Sequence, residues 1–207
     1  MNIGGDDARQ SRLYNAGDNK LGYRIEESDI VVVGLAGRKG CGKSAVADML
    51  KSAGYHEVAF GTPLKDICRI SHGLSERQLY GDLKETPDVR HDGLTPREIL
   101  QVVGTDLFRA KFGGGIWVSV AERNVRASRR RYVVVSDVRF PEEVRMVRDT
   151  FGGKVYFIER DNHEPSGVGD AHVSEGLQFD ADTMTKLWNR GTSLDELREE
   201  VRKTIGV

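Results

Sequence analysis

Residues 37–44 read Gly37-Arg38-Lys39-Gly40-Cys41-Gly42-Lys43-Ser44: a glycine, four intervening residues, then Gly-Lys-Ser. This pattern constrains the chain because its parts work only between a strand and a helix. Glycines let backbone N–H groups curl around phosphate oxygens, the lysine reaches the β- and γ-phosphates, and the serine hydroxyl can ligate Mg²⁺. The flanks supply that context. Residues 30–35 are a continuous apolar run, as expected of a buried parallel strand. Residues 44–53 form an alanine-rich helical stretch with Val46, Leu50 and Ala53 on one face. Strand, loop and helix in this order aim a helix N-terminus at an anion, whereas a bland glycine-rich turn needs neither flank.

The rest of the chain alternates strands and helices. Short strands are expected at 57–60, 132–136, 154–158 and 183–188. Thr62-Pro63 opens a helix to residue 71, with Thr62 as N-cap. A short helix follows at 75–80, then a charged loop at 81–93. Thr95-Pro96-Arg97-Glu98 is a capping box opening a helix toward Phe112, where a triple glycine breaks it. Helices are expected at 117–130 and from Phe140 or Pro141, and Ser193-Leu194-Asp195-Glu196 opens the last one. Strands interleaved with helices imply an α/β fold, a parallel sheet covered on both faces, with ligands at the carboxyl ends of the strands. Residues 1–28 are polar and precede the first credible strand, so they read as a loose extension, leaving 29–207 as the folded domain.

With 207 residues, 38% of them hydrophobic and 30% charged, the chain suits one domain, and its net charge of −1 calls for neither nucleic acid nor membrane. No apolar stretch approaches a membrane span. Cys41 sits inside the glycine-rich loop, where a disulfide to Cys68 would obstruct a ligand, so a reducing cytoplasm is the simpler reading.

Several residues could carry chemistry. Asp137 follows the second apolar strand, where a phosphate-loop protein places its Mg²⁺-side carboxylate; the alternative is a turn aspartate capping the next helix. Arg139 points into the same crevice. Lys65, Lys84, Arg90, Arg97, Gln101 and Arg109 lie between the second and third strands, and a second anionic substrate needs such donors opposite the loop. Taken singly, each reads equally well as part of a solvated surface. Arg160 follows the strand at 154–158 and could neutralise a transferring phosphoryl, or belong to a surface charge cluster with Glu159 and Asp161. Phe60, Trp117 and Phe140 could stack on a base, with the core as the competing place, preferred for Trp117. His163 and His172 fit no zinc spacing and read as structural or surface residues. The arginines at 126 and 129–131 read as cations at a helix C-terminus rather than a nucleic-acid patch.

The phosphate loop, Phe60-Gly61-Thr62-Pro63-Leu64-Lys65, the run at 100–106 with Arg109, and Asp137-Val138-Arg139-Phe140-Pro141 together resemble the deoxynucleoside monophosphate kinases of tailed bacteriophages. So do His172-Val173-Ser174-Glu175 and residues 189–194. The resemblance implies a three-layer kinase fold with a five-stranded parallel sheet, a helical monophosphate-binding lobe at 62–115 and a lid within 161–182. It implies ATP-dependent phosphorylation of a deoxynucleoside monophosphate in the cytoplasm, that of a host if the chain is phage-encoded, and some members of the family pair as homodimers. ATP would lie on the eight residues Gly37 to Ser44, with Lys43, Arg139 and Arg160 acting on the transferring phosphoryl. Ser44 and Asp137 would hold Mg²⁺. Phe60, Lys65, Arg90, Arg97, Gln101, Arg109, Trp117, Asp137 and Arg139 would serve the monophosphate. One departure stands: Arg160 is followed by no arginine before Arg190, so either the lid works with one arginine or Arg139 supplies the charge. The rival readings are a kinase of another small acceptor, a nucleic-acid-associated NTPase and a nucleotide sensor without turnover.

Overall fold

The structure is a computed structural model that describes residues 26–161 and 184–207. Its centre is a five-stranded sheet of order β2-β3-β1-β4-β5, built from β1 (Val31–Ala36), β2 (His56–Val58), β3 (Tyr132–Val138), β4 (Lys154–Arg160) and β5 (Thr185–Asn189). Every neighbouring pair is parallel. The apolar runs of β1 and β3 are buried almost throughout because helices cover both faces. Period-2 alternation divides their side chains. Val32, Val133, Val135 and Phe157 face one layer with Trp117, Ala121 and Val125. Val33, Leu35, Val134 and Ile158 face the other, with Val46, Leu50, Leu197 and Val201. The second layer consists of α1 (Lys43–Ser52) and α8 (Leu194–Ile205).

Between β2 and β3 the chain leaves the sheet as a helical excursion. It comprises α2 (Gly61–His72), α3 (Glu76–Leu79), α4 (Pro96–Gln101), α5 (Ala110–Phe112) and α6 (Ile116–Ser128). Cys68, Leu74, Leu79, Ile99, Leu100 and Val103 give it a small core of its own. The capping box at Thr95 forms as expected: Glu98 N–H donates to Thr95 Oγ1 at 3.2 Å, and Thr95 N–H to Glu98 Oε2 at 2.7 Å. The helix then widens into a π-helical stretch, Val102–Arg109, before α5. There Gly104 packs so close to α2 that an added Cβ would meet Leu64 Cδ2 at 2.5 Å, and its carbonyl accepts the Trp117 indole N–H at 3.0 Å. Such widenings recur at functional sites.

Three expectations are revised. The segment 81–93 is not plain loop but carries 3₁₀ turns at Asp82–Glu85 and Val89–His91. Helix α2 begins at Gly61, one residue before the expected cap Thr62. Its leading amides are satisfied from outside the helix, by Asp137 at the end of β3, so no threonine cap is needed. At α8 only the serine half of the capping box forms, with Glu196 N–H donating to Ser193 Oγ at 3.1 Å, while the Glu196 carboxylate accepts the Thr192 hydroxyl. Helix α7 (Pro141–Arg145) follows β3 as read. His163, His172 and all but Asp161 of the expected lid lie outside the described residues, as do residues 1–25 of the expected extension. Among the described residues no helix is long and apolar enough to cross a membrane.

Candidate active site

The loop between β1 and α1 turns at three glycines with left-handed or related φ: 145° at Gly37, 79° at Gly40 and 106° at Gly42. At Gly37 a side chain would also collide, since a Cβ would sit 2.6 Å from the Ile158 carbonyl and 2.7 Å from Cys41 Sγ. Helix α1 starts at Lys43 with no side-chain cap on its first amides, leaving that end of the helix to an anion. Lys43 Nζ curls back over the loop and donates to the carbonyls of Gly37 at 2.5 Å and Arg38 at 2.8 Å. Burial pushes the Lys43 pKa down and the charge of Arg139 acts in the same sense, against the pull of Cys41 and Asp137. A lysine whose burial disfavours its charge is stabilised by an arriving anion. Ser44, in the first turn of α1, is exposed.

Arg160 and Asn189 brace the loop from the ends of β4 and β5. Arg160 Nη1 donates to the Gly40 carbonyl at 3.2 Å. Asn189 Nδ2 donates to the Cys41 carbonyl at 2.9 Å. Lys39 reaches across to the helical excursion, where Glu85 accepts both Lys39 Nζ at 3.1 Å and Arg97 Nε at 2.5 Å.

Beside this loop lies a cavity of about 210 Å³. Phe60, Gly61, Leu64 and Lys65 wall it from the start of α2, and Arg97, Gln101, Gly104, Thr105 and Arg109 from α4 and its π-helical continuation. Trp117 closes it from α6, Asp137, Arg139 and Phe140 from the end of β3, Glu143 from α7, and Lys84 from a 3₁₀ turn. Every residue expected to serve the monophosphate lines this cavity except Arg90. The Arg90 guanidinium is engaged elsewhere: it pairs with Asp88 at 2.6 Å and donates to Gln78 at 3.3 Å and the Gly73 carbonyl at 3.5 Å. It builds the 3₁₀ turn and holds the Asp88 carboxyl well below the usual range.

The cavity is electrostatically mixed. Asp137 Oδ1 accepts the Phe60 amide at 2.8 Å and Oδ2 the Gly61 amide at 2.9 Å. The capping alternative for Asp137 is therefore realised, on α2 rather than on the helix that follows it in sequence. Arg109 donates to Glu142 and Glu143, both at 2.6 Å, and lies 3.6 Å over the Phe140 ring. Glu143 is 2% exposed and also accepts the backbone amides of Arg139 at 2.7 Å and Phe140 at 3.1 Å. Burial, with Asp137 adding to it, pushes the Glu143 carboxyl up to about 7 despite those partners. Lys65 lies 3.7 Å over the Tyr80 ring, its pKa lowered mainly by burial. Trp117, at 5% exposed, is both core and cavity wall. Asp137 and Arg139 line the cavity and also act on the charge of Lys43, so the loop and the cavity meet at the end of β3.

The sequence reading missed Glu143, Glu85 and Asn189. Glu143 is one of two adjacent acids in the first turn of the helix after β3, Glu85 belongs to the charged loop at 81–93, and Asn189 follows the strand expected at 183–188, so none stands out by type or spacing. Only the asparagine two residues before Gly191 left a local signal, that of a turn after a strand.

A glycine-rich loop leading into α1, on a parallel sheet of order 2-3-1-4-5 with a cavity of mixed charge alongside that carries Lys65, Arg97, Arg109 and Arg139, defines a phosphate-loop phosphotransferase. The deoxynucleotide monophosphate kinase family model matches residues 79–201. A putative deoxynucleotide monophosphate kinase of Acanthamoeba polyphaga mimivirus is 37% identical over 162 residues, which are 70% of this chain and 81% of that protein. The deoxynucleoside-5'-monophosphate kinase of Escherichia phage T5 is 35% identical over 82 residues, 37% of this chain and 30% of the phage protein. Among solved structures, TT1252 from Thermus thermophilus shares the fold, with a TM-score of 0.51 and 20% identity over 85% of this chain and 96% of its own. The chain belongs to the deoxynucleotide monophosphate kinase family.

Proposed function

We propose that this protein moves the γ-phosphoryl group of ATP onto the phosphate of a deoxynucleoside monophosphate, giving the diphosphate. The observation that carries the reading is the junction at Asp137 and Arg139, where a triphosphate loop and a cavity walled by Lys65, Arg97 and Arg109 adjoin. Two anions must be brought together, so cations on both sides are a physical requirement. On this reading Lys43 exchanges the carbonyls of Gly37 and Arg38 for β- and γ-phosphate oxygens. Arg160, already against the loop, and Arg139 neutralise the group in flight. The attacking atom is a phosphate oxygen, ionised at neutral pH, and needs no general base. The protein's work is positioning and charge neutralisation.

Mg²⁺ fits the residues present. Each Asp137 oxygen receives one amide and keeps a lone pair for a metal-bound water, and the Ser44 hydroxyl is exposed at the start of α1. Ser44 and Asp137 would hold the ion, which would supply charge neutralisation to the triphosphate. The excursion at 62–115 is the acceptor lobe, with Phe60 and Trp117 as walls against the base. The phage and giant-virus relatives support a chain working in the cytoplasm of a host.

The test is ADP production with ATP and Mg²⁺ across the common deoxynucleoside and ribonucleoside monophosphates. Turnover that requires a deoxynucleoside monophosphate, and is lost in Lys43→Ala, is expected. ADP release independent of any acceptor would refute the reading.

A further inference from the structure

We propose that Asn189 is a positioning residue of the phosphate loop, fixing the Cys41 carbonyl so that the adjoining amide faces the triphosphate. This rests on the loop being the ATP site. Four loop carbonyls are held by side chains. Lys43 takes those of Gly37 and Arg38, Arg160 takes that of Gly40, and Asn189 takes that of Cys41 at 2.9 Å, from a position 148 residues away in the chain. The first two are cations with their own reason to turn to an arriving phosphate. Asn189 is neutral and has none, so its contact is the one that persists when the nucleotide binds.

The carboxamide is itself fixed. Its Oδ1 accepts the Gly191 amide at 3.1 Å, which leaves Nδ2 directed at the loop. The Asn189 main-chain carbonyl accepts the Asp161 amide at 3.2 Å, so the residue is anchored to β4 as well. Asn189 is 9% exposed. A trans peptide is planar, with C=O and the following N–H pointing opposite ways. Holding the Cys41 carbonyl against Asn189 therefore turns the Gly42 N–H away from Asn189. A peptide free to flip would instead set a carbonyl dipole against phosphate oxygens. The fit is close: a Cβ on Gly42 would lie 2.6 Å from Asn189 Nδ2. The glycine at that position thus serves the asparagine as well as the left-handed turn at φ 106°.

Asn189→Asp separates this role from simple packing. The side chain keeps its shape but offers a carboxylate where the Cys41 carbonyl needs a donor, leaving that carbonyl unsatisfied. Calorimetric titrations of the full chain with ATP and Mg²⁺, and separately with a deoxynucleoside monophosphate, should be run for wild type, Asn189→Asp and Asn189→Ala beside thermal unfolding. The expected result is an ATP Kd raised at least about tenfold in Asn189→Asp, with the monophosphate Kd within about twofold of wild type. A folded Asn189→Asp that binds ATP as wild type does, even with a lower Tm, overturns the positioning role. Should neither variant fold, the wild type decides by NMR hydrogen exchange: a protected Asn189 carboxamide in the ATP complex supports the role, and free exchange there overturns it. A wild type that binds no ATP overturns the donor-site reading and this proposal together, whereas a wild type that binds ATP and is matched by Asn189→Asp overturns the proposal alone.

Discussion

Arg109 Nη2 stands 2.6 Å from Glu143 Oε1, an arginine of the cavity beside the glycine-rich loop clamped by a carboxyl that is almost wholly buried. The clamp is reinforced by Glu142 and by the Gly114 carbonyl, and the guanidinium plane rests on Phe140. A guanidinium held on three sides presents a fixed face to a phosphate and loses little rotamer freedom when it binds one. The same arrangement ties binding to stability, because the acid depends on the arginine.

Arg109→Ala is therefore expected to do two things. It raises the acceptor KM with ATP affinity little changed, and it strands Glu143 in the interior, lowering stability on the order of 3 kcal/mol. The double variant Arg109→Ala/Glu143→Gln should recover most of the stability and none of the acceptor affinity. Urea unfolding and steady-state kinetics on the three proteins decide. Equal acceptor KM in wild type and Arg109→Ala would remove this arginine from the site.

Glu143 also gives stability a pH dependence with a definite sign. Burial, with the charge of Asp137 acting in the same sense, raises its folded pKa to about 7 from the ordinary 4.5. Between those values the folded state holds a proton that the unfolded chain has released, so the contribution is complete below about 4.5 and is lost as pH rises through about 7. The size is on the order of 3 kcal/mol. The groups that set it are Asp137 on β3, Arg109 on the π-helical segment and the backbone amides of Arg139 and Phe140. Unfolding free energies of wild type and Glu143→Gln, compared from pH 5 to pH 8, should diverge by that amount, with only the wild type falling. Parallel curves across the window would show that Glu143 titrates normally.

What the sequence made legible was whatever repeats locally or depends on the neighbouring few residues. The strand–loop–helix around Lys43 needs only its own glycines and flanking apolar runs, and the Thr95 capping box is closed within four residues. The cavity wall was half legible: Arg97, Gln101 and Arg109 read as donors opposite the loop, and their placement on one wall survives a widening into a π-helix. Three relationships were not legible, because each joins distant segments. Asp137 caps a helix 76 residues earlier, Asn189 reaches the loop across most of the chain, and Glu85 bridges Lys39 to Arg97. Arg90 failed for the complementary reason: a nearby aspartate in the same turn claims it first. A charged residue in a charged segment has too many local partners for composition to say which one it takes.

Arg90 and Arg97 consequently form a matched pair of tests. Arg97 is 12% exposed along its side chain and lines the cavity, while Arg90 is 54% exposed and lies off it. Arg97→Ala should raise the acceptor KM or lower kcat by about tenfold or more, as loss of a charge-assisted contact to phosphate does. Arg90→Ala should lower the Tm, through the loosened Asp88 turn, with acceptor KM and kcat within about twofold of wild type. The reverse ranking of the two variants in kinetics would mean that the 3₁₀ turns rearrange and bring Arg90 into the cavity.

On the proposed reading Asp137 serves the fold and the reaction at once, and substitution can separate the two. Asn in its place retains one oxygen acceptor for the amides of Phe60 and Gly61 and turns an NH₂ toward the other. Loss of half the cap costs about 1 kcal/mol, comparable with removing a helix N-cap. The charge lost is the one that would hold a metal-bound water beside Ser44, so the metal dependence should move much further than the stability. In Asp137→Asn, turnover at saturating substrates is expected to fall at least about tenfold, and the Mg²⁺ concentration giving half-maximal rate to rise. A Mg²⁺ titration that superimposes on wild type, in a variant whose Tm has dropped, would assign Asp137 to the helix cap alone.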